Sequence, residues 1–207
     1  MTLSAVLLAG GESRRMGQDK ATIIFRGEAL WKRQLDLLRR LGPEKIFVSA
    51  RTEPSWLPPE TELLLDEPPT RGPLSGLAKA LERMPTTHLV ALAVDMPFMT
   101  REPLQALWSL ATMGTGVLPM IGDKAEPLAA IYPKEAMSDL LVALEGEDFS
   151  LQQLSRNLLH AGKLRAFQIS PGEQELYRSV NEPGDIKEGR FPNRPSGSAS
   201  GLESAAP

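Results

Sequence analysis

Short, continuously apolar runs alternate along this chain with segments whose apolar residues recur at helical spacing. Residues 3–8, 45–50, 63–65, 88–94, 116–121, 128–132 and 165–169 read as strands, and residues 21–25 as a short strand or extended piece. Trp31, Leu35, Leu38 and Leu41 share one face, which predicts an amphipathic helix over residues 29–41, stopped by Gly42-Pro43. Gly72-Pro73 opens a helix through Met84, with Leu74, Leu77, Ala78 and Leu81 on its buried side. Further helices are expected over residues 102–112, 136–144 and 151–159, and Gly122-Asp123 is expected to turn one strand into the next. The run 88–94 is apolar on both faces, as in a parallel strand covered by helices on either side. The alternation predicts an α/β fold, a three-layer sandwich around a mostly parallel, Rossmann-like sheet.

The pattern fades near Lys187. Residues 187–207 are rich in Gly, Ser and Pro and offer little to bury, so a domain over 1–186 and a disordered tail over 187–207 are expected. The formal net charge of −3, without a long basic block, argues against nucleic-acid binding. No apolar run approaches a membrane span, and Met1-Thr2 leads into a strand without a basic leader, so a cytoplasmic protein is expected. The chain has no cysteine, which excludes disulfides, thiolate metal sites and cysteine nucleophiles.

Candidate chemistry gathers where strands end. The first strand runs into LAGGESRRMGQDK, a glycine turn followed by two arginines and a lysine, suited to a triphosphate. Asp19 lies in that loop, and Asp66 and Asp95 close two other strands, at the edge where open parallel sheets bind ligands. One strand-end aspartate can be a helix cap or turn residue; two beside a cationic glycine loop favour magnesium and phosphate. The loop lacks the Gly-Lys-Ser/Thr close of a P-loop, and its glycines do not fit GxGxxG.

LAGGESRRMGQDK resembles the LAGGxSxRMGxDK signature of the molybdenum cofactor guanylyltransferase family, within the MobA-like nucleotidyltransferases. The resemblance continues in order through Asp66, Gly72-Pro73-Leu74-Ser75-Gly76, Ala93-Val94-Asp95-Met96-Pro97, Glu126-Pro127-Leu128 and Val180-Asn181-Glu182-Pro183. It implies a nucleotide-diphospho-sugar-transferase-like fold and transfer of GMP from GTP to molybdenum-molybdopterin, with Mg²⁺ as cofactor and pyrophosphate as leaving group. Molybdopterin-synthesis proteins and acceptor molybdoenzymes are further implied partners. By resemblance, Leu8, Ala9 and Gly10 line guanine and ribose, while Gly11, Ser13 and Arg15 wrap the phosphates. Lys20 contacts the α- and β-phosphates, Asp66 binds the nucleoside, Asp95 holds Mg²⁺ and Asn181 lies near the pterin. The implied catalytic residues are Arg15, Lys20 and Asp95. Ser49 stands where the family often has a nucleotide-contacting asparagine, and its reach is shorter. Arg14, outside the signature, is expected to be solvated.

Relatives that transfer cytidylate to molybdopterin, or nucleotides to sugar or polyol phosphates, tend to carry Ala-Ala-Gly where this chain has Ala9-Gly10-Gly11. The second glycine favours guanine. A non-catalytic nucleotide-binding protein is disfavoured by the joint presence of Arg15, Lys20 and Asp95. His88 and His160 fall outside the motifs, His88 at a strand start and His160 at a helix end, and are expected to be surface or helix-terminal residues. Trp31 and Trp108 are expected in the core, and Trp56, in the Pro-rich stretch 53–59, is expected to pack rather than act as a lid.

Overall fold

The computed structural model describes residues 1–10, 19–66 and 70–180. Within them the chain enters through β1 (Leu3–Leu8), then a one-turn 3-10 helix (Lys20–Thr22) and a small hairpin of β2 (Ile24–Phe25) and β3 (Glu28–Ala29). Next come α1 (Leu30–Arg39), β4 (Lys45–Ala50), β5 (Glu62–Leu65), α2 (Pro73–Arg83), β6 (His88–Ala93) and α3 (Arg101–Leu110). The second half holds β7 (Gly116–Ile121), β8 (Lys124–Ala125), β9 (Ala129–Pro133), α4 (Met137–Glu145), α5 (Leu151–His160) and β10 (Leu164–Gln168). The expected tail and Asn181 lie outside the described residues.

The main sheet has the order β10-β7-β9-β6-β1-β4-β5, with β8 folded back on β7. β1 pairs in parallel with β4 and β6, β4 with β5, and β7 with β10. β9 runs antiparallel between β6 and β7. The connection from β7 through β8 to β9 is too short for a helical crossover, so it reverses direction instead. The sheet is thus mostly parallel, as the apolar runs predict.

Alternation along the strands divides two cores. Leu3, Ala5 and Leu7 of β1 face the layer that includes Leu35 and Leu38 of α1 and Leu104 and Leu107 of α3. Val6 and Leu8 face Leu74, Leu77 and Leu81 of α2, Leu140 of α4 and Leu158 of α5. Both faces of the sheet are covered by helices, which completes the three-layer sandwich.

Four expectations are corrected. Residues 21–25 form the end of a 3-10 turn and one short strand, because the Asp19 carboxylate accepts the Ala21 N–H at 2.9 Å and starts a turn. Gly122-Asp123 turns the chain into β8 rather than directly into β9. His88 is not at the surface: it is fully buried, its ring nitrogens lie 2.9 Å from Thr87 Oγ1 and 3.0 Å from the Thr112 carbonyl, and it meets Trp108 edge-on. Those polar partners permit its burial. Trp31 and Trp108 are only half-buried and pack against the rim of the first core.

Candidate active site

β1 lies between β4, which follows it in sequence, and β6, which returns on its other side. The chain therefore changes winding direction at β1, and a crevice opens at the carboxyl ends of these strands. Backbone bonds carry the pairing past the formal strand ends. Ala9 N–H donates to the Ser49 carbonyl at 2.8 Å, Asp66 N–H to Ala50 at 3.0 Å and Val94 N–H to Leu8 at 3.1 Å. Leu8, Ala9, Gly10, Lys20, Ser49, Asp66 and Asp95 consequently line one cleft, closed on one side by Gly72 and Pro73 and on the other by Leu128.

One end of the cleft is built around Asp66. Its side chain is buried among strand ends, and desolvation pushes its carboxyl above the ordinary range, only partly offset by the Ser49 hydroxyl and the charges of Lys79 and Arg51. Ser49 is itself 2 % exposed and donates Oγ–H to Asp66 Oδ1 at 3.4 Å. A Cβ on Gly10 would stand 2.8 Å from Asp66 Oδ2, so any larger residue here displaces that carboxylate. Ser49 therefore lines the cleft with its hydroxyl turned to the neighbouring carboxylate.

The other end is built around Asp95. Lys20 Nζ donates to Asp95 Oδ2 at 3.1 Å, with both side chains largely shielded from solvent. The turn after Asp95 is held from below by α1. Gln34, fully buried, donates Nε2–H to the Met96 carbonyl at 2.5 Å, and Arg33 donates Nε–H to the Pro97 carbonyl at 2.8 Å. Val180 N–H closes on the Asp95 carbonyl at 2.8 Å. Sequence reasoning missed this support; its only signal was a run of polar residues on a helix whose buried face should be apolar.

Among the described residues no group of three or more His, Cys, Asp or Glu side chains gathers to hold a metal. A single shielded carboxylate beside a lysine nonetheless fits Mg²⁺, which is commonly held by one or two carboxylates together with substrate phosphates and water.

Gly11, Ser13, Arg14, Arg15 and Asn181 lie outside the described residues. Asp19 is a turn residue: Oδ1 accepts Ala21 N–H, and Oδ2 accepts the indole N–H of Trp56 at 3.1 Å. Trp56 packs, as expected, by stacking on Trp31 with ring centroids 5.1 Å apart. His88 begins β6 and His160 ends α5 just before β10, so both sit at the sheet edge opposite Asp95. No helix among the described residues is long and apolar enough to cross a membrane.

A strand-end crevice with a buried acceptor at one end and a lysine–carboxylate pair at the other, on this sheet order, fits a nucleotidyltransferase. The solved molybdopterin-guanine dinucleotide biosynthesis protein A of Archaeoglobus fulgidus shares the fold, with a TM-score of 0.69 at 22% identity, covering 89% of this chain and 95% of that one. So does the 2-C-methyl-D-erythritol 4-phosphate cytidylyltransferase of Thermus thermophilus, with a TM-score of 0.64 at 15% identity, covering 90% and 96%. The MobA-like NTP transferase domain matches residues 5–163. A probable molybdenum cofactor guanylyltransferase of Opitutus terrae is 34% identical over 88% of this chain and 92% of its own length. The molybdenum cofactor guanylyltransferase of Cereibacter sphaeroides is 31% identical over 90% and 94%. The chain belongs to the MobA-like NTP transferases, in the molybdenum cofactor guanylyltransferase family.

Proposed function

We propose that this enzyme transfers GMP from GTP to the terminal phosphate of molybdenum-molybdopterin in the cytoplasm. The observation that carries this reading is the pairing of Lys20 with Asp95 at 3.1 Å, at one end of a cleft whose other end presents Asp66 and which Leu8, Ala9 and Gly10 line. A phosphate monoester has its second pKa near ~6 and is largely ionised at neutral pH, so the acceptor needs no protein base. Its oxygen attacks the α-phosphorus of GTP, a new phosphoanhydride bond forms, and the bond from the α-phosphorus to the α–β bridging oxygen breaks. Pyrophosphate leaves with the electron pair.

The protein's work is to align the two anions and offset charge at the α-phosphate. Lys20 supplies a cation there, already restrained against Asp95. Asp95 would hold Mg²⁺, which supplies charge neutralisation at the phosphates when bound. Asp66, buried and backed by Ser49, accepts from the nucleoside. By family resemblance Gly11, Ser13 and Arg15 wrap the phosphates and Asn181 meets the pterin; Val180 is tied to Asp95 immediately before it. The product would pass to acceptor molybdoenzymes.

Incubation with GTP, Mg²⁺ and molybdate-loaded molybdopterin, followed by separation of the guanine dinucleotide, tests the reading. Parallel reactions with CTP and ATP should give little product. Preferential cytosine dinucleotide formation would reassign the nucleotide, and no product with any of them would remove the reading.

A further inference from the structure

The Asp19 carboxylate links the turn that carries Lys20 to the long connection between β4 and β5. Its Oδ1 accepts the Ala21 N–H at 2.9 Å, while its carbonyl accepts Thr22 N–H at 3.0 Å and Thr22 Oγ–H at 2.8 Å. These bonds fix the turn on which Lys20 is the first residue. Its Oδ2 accepts the Trp56 indole N–H at 3.1 Å, from the long connection between β4 and β5. Trp56 in turn lies flat on Trp31 in the first turn of α1, with ring planes 11° apart. Both carboxylate oxygens are thus engaged by N–H donors, one from the lysine's own turn and one from a ring clamped to a helix.

We propose that Asp19 and Trp56 are positioning residues that set Lys20, and that Asp19 takes no metal. The inference rests on the phosphate-contacting role proposed above for Lys20. The long lysine side chain has many rotamers, and its Nζ reaches Asp95 across the cleft. Its backbone origin must therefore be held, since a displacement of about 1 Å in a reacting group can cost on the order of 100-fold in rate. The Asp19 cap holds that origin locally, and the indole bond ties the cap to the rigid α1 layer. Stacking on Trp31 fixes the direction of the indole N–H, which a side chain free in a loop would not maintain.

The test is a double-mutant cycle on kcat for pyrophosphate release, with GTP, Mg²⁺ and molybdopterin as substrates. Trp56→Phe keeps an aromatic ring for the stack and removes the donor. It should lower kcat by at least ~5-fold and leave the KM for GTP within about twofold. In a Lys20→Ala background the same change should alter kcat by less than about twofold, because the group it positions is gone. A kcat unchanged by Trp56→Phe, or equal losses in both backgrounds, would overturn the proposal.

A second measurement needs no substrate. The Trp56 indole N–H, assigned in a ¹H–¹⁵N spectrum by its loss in Trp56→Phe, should exchange slowly with solvent, and Asp19→Ala should make it exchange fast. Fast exchange in the parent protein, or no response to Asp19→Ala, would overturn the contact itself. Absence of GTP turnover by the parent enzyme with a protected, Asp19-dependent indole N–H would instead count against the guanylyl reading and leave the Asp19–Trp56 link standing.

Discussion

α2 crosses the site end of the sheet so closely that Gly76 has no room for a side chain. A Cβ there would stand 2.1 Å from Ser49 Oγ, 2.8 Å from Ser49 Cβ and 3.0 Å from Leu8 Cδ2. The hydroxyl can rotate away, but Ser49 Cβ moves only with β4. Carbon atoms pack at about 3.5–4.0 Å, so Gly76→Ala must push α2 and β4 apart by roughly 1 Å. Overpacking of this kind costs about 1–3 kcal/mol. Replacing a mid-helix glycine with alanine returns up to ~1 kcal/mol of helix propensity. Because the contact at 2.8 Å is with a Cβ fixed to the backbone, the cost lies in the upper part of that range, and the net expectation is a loss of about 1–2 kcal/mol, a fall in Tm of about 2–8 °C for a chain of this size. The same displacement moves Ser49 away from Asp66, so the KM for GTP should rise as well. Urea and thermal unfolding followed by circular dichroism measure the first effect, and steady-state kinetics the second. Pairing Gly76→Ala with Ser49→Gly reopens the space and should recover part of the lost stability. A Gly76→Ala protein as stable as the parent would refute the argument from close approach.

Three further outcomes are expected. Lys20→Ala should cut kcat by at least ~100-fold, equivalent to about 2.7 kcal/mol at 1.36 kcal/mol per decade, while circular dichroism and Tm stay near the parent's; an unchanged rate contradicts the assigned role. Asp95→Ala should abolish turnover at every Mg²⁺ concentration, and retained activity with a normal Mg²⁺ titration would remove Asp95 as the metal ligand. Asp66→Asn should weaken GTP binding and stabilise the fold at neutral pH. Burial raises the Asp66 pKa above its ordinary 3.8, so the folded state binds the proton more tightly than the unfolded one. Its favourable contribution is complete below the unfolded value and is lost as pH rises through the folded value. The advantage of asparagine in urea midpoints should therefore be present at pH 7 and shrink as the medium approaches pH 4; no pH dependence of that difference would contradict the shift.

The strand ends were legible because each apolar run stops where its environment changes. Residues 3–8, 45–50 and 116–121 are read with the bounds the structure has, and Asp66 and Asp95 fall at the edge the runs predict. What escaped the sequence depends on contacts between distant positions. Asp19 reads as one more carboxylate beside a phosphate loop until Trp56, far along the chain, is seen to occupy one of its oxygens. His88 reads as a surface residue at a strand start until the Thr112 carbonyl and Trp108 from other elements enclose it. Gly76 sits in a family-like motif with no local reason to be glycine; the reason is Ser49 on the neighbouring strand.

Asp66 and Asp95 look alike in sequence, each closing a strand of the same sheet, yet their surroundings fit them to opposite ends of one ligand. Asp66 has lost water, and the Ser49 hydroxyl at 3.4 Å with the charges of Lys79 and Arg51 offsets that loss only in part, so its carboxylate favours directed N–H or O–H donors. Asp95 has a lysine ammonium at 3.1 Å and more solvent, the setting of a carboxylate that shares its charge with cations. A nucleoside supplies donors and a triphosphate with its metal supplies charge. GTP should therefore lie with its base toward β5 and its phosphates toward β6, crossing the end of β1 beside Gly10, which lines the cleft against Asp66. That orientation would bring the α-phosphate to Lys20 and would leave the side of the cleft beyond β6, where Leu128 lines it, for the acceptor.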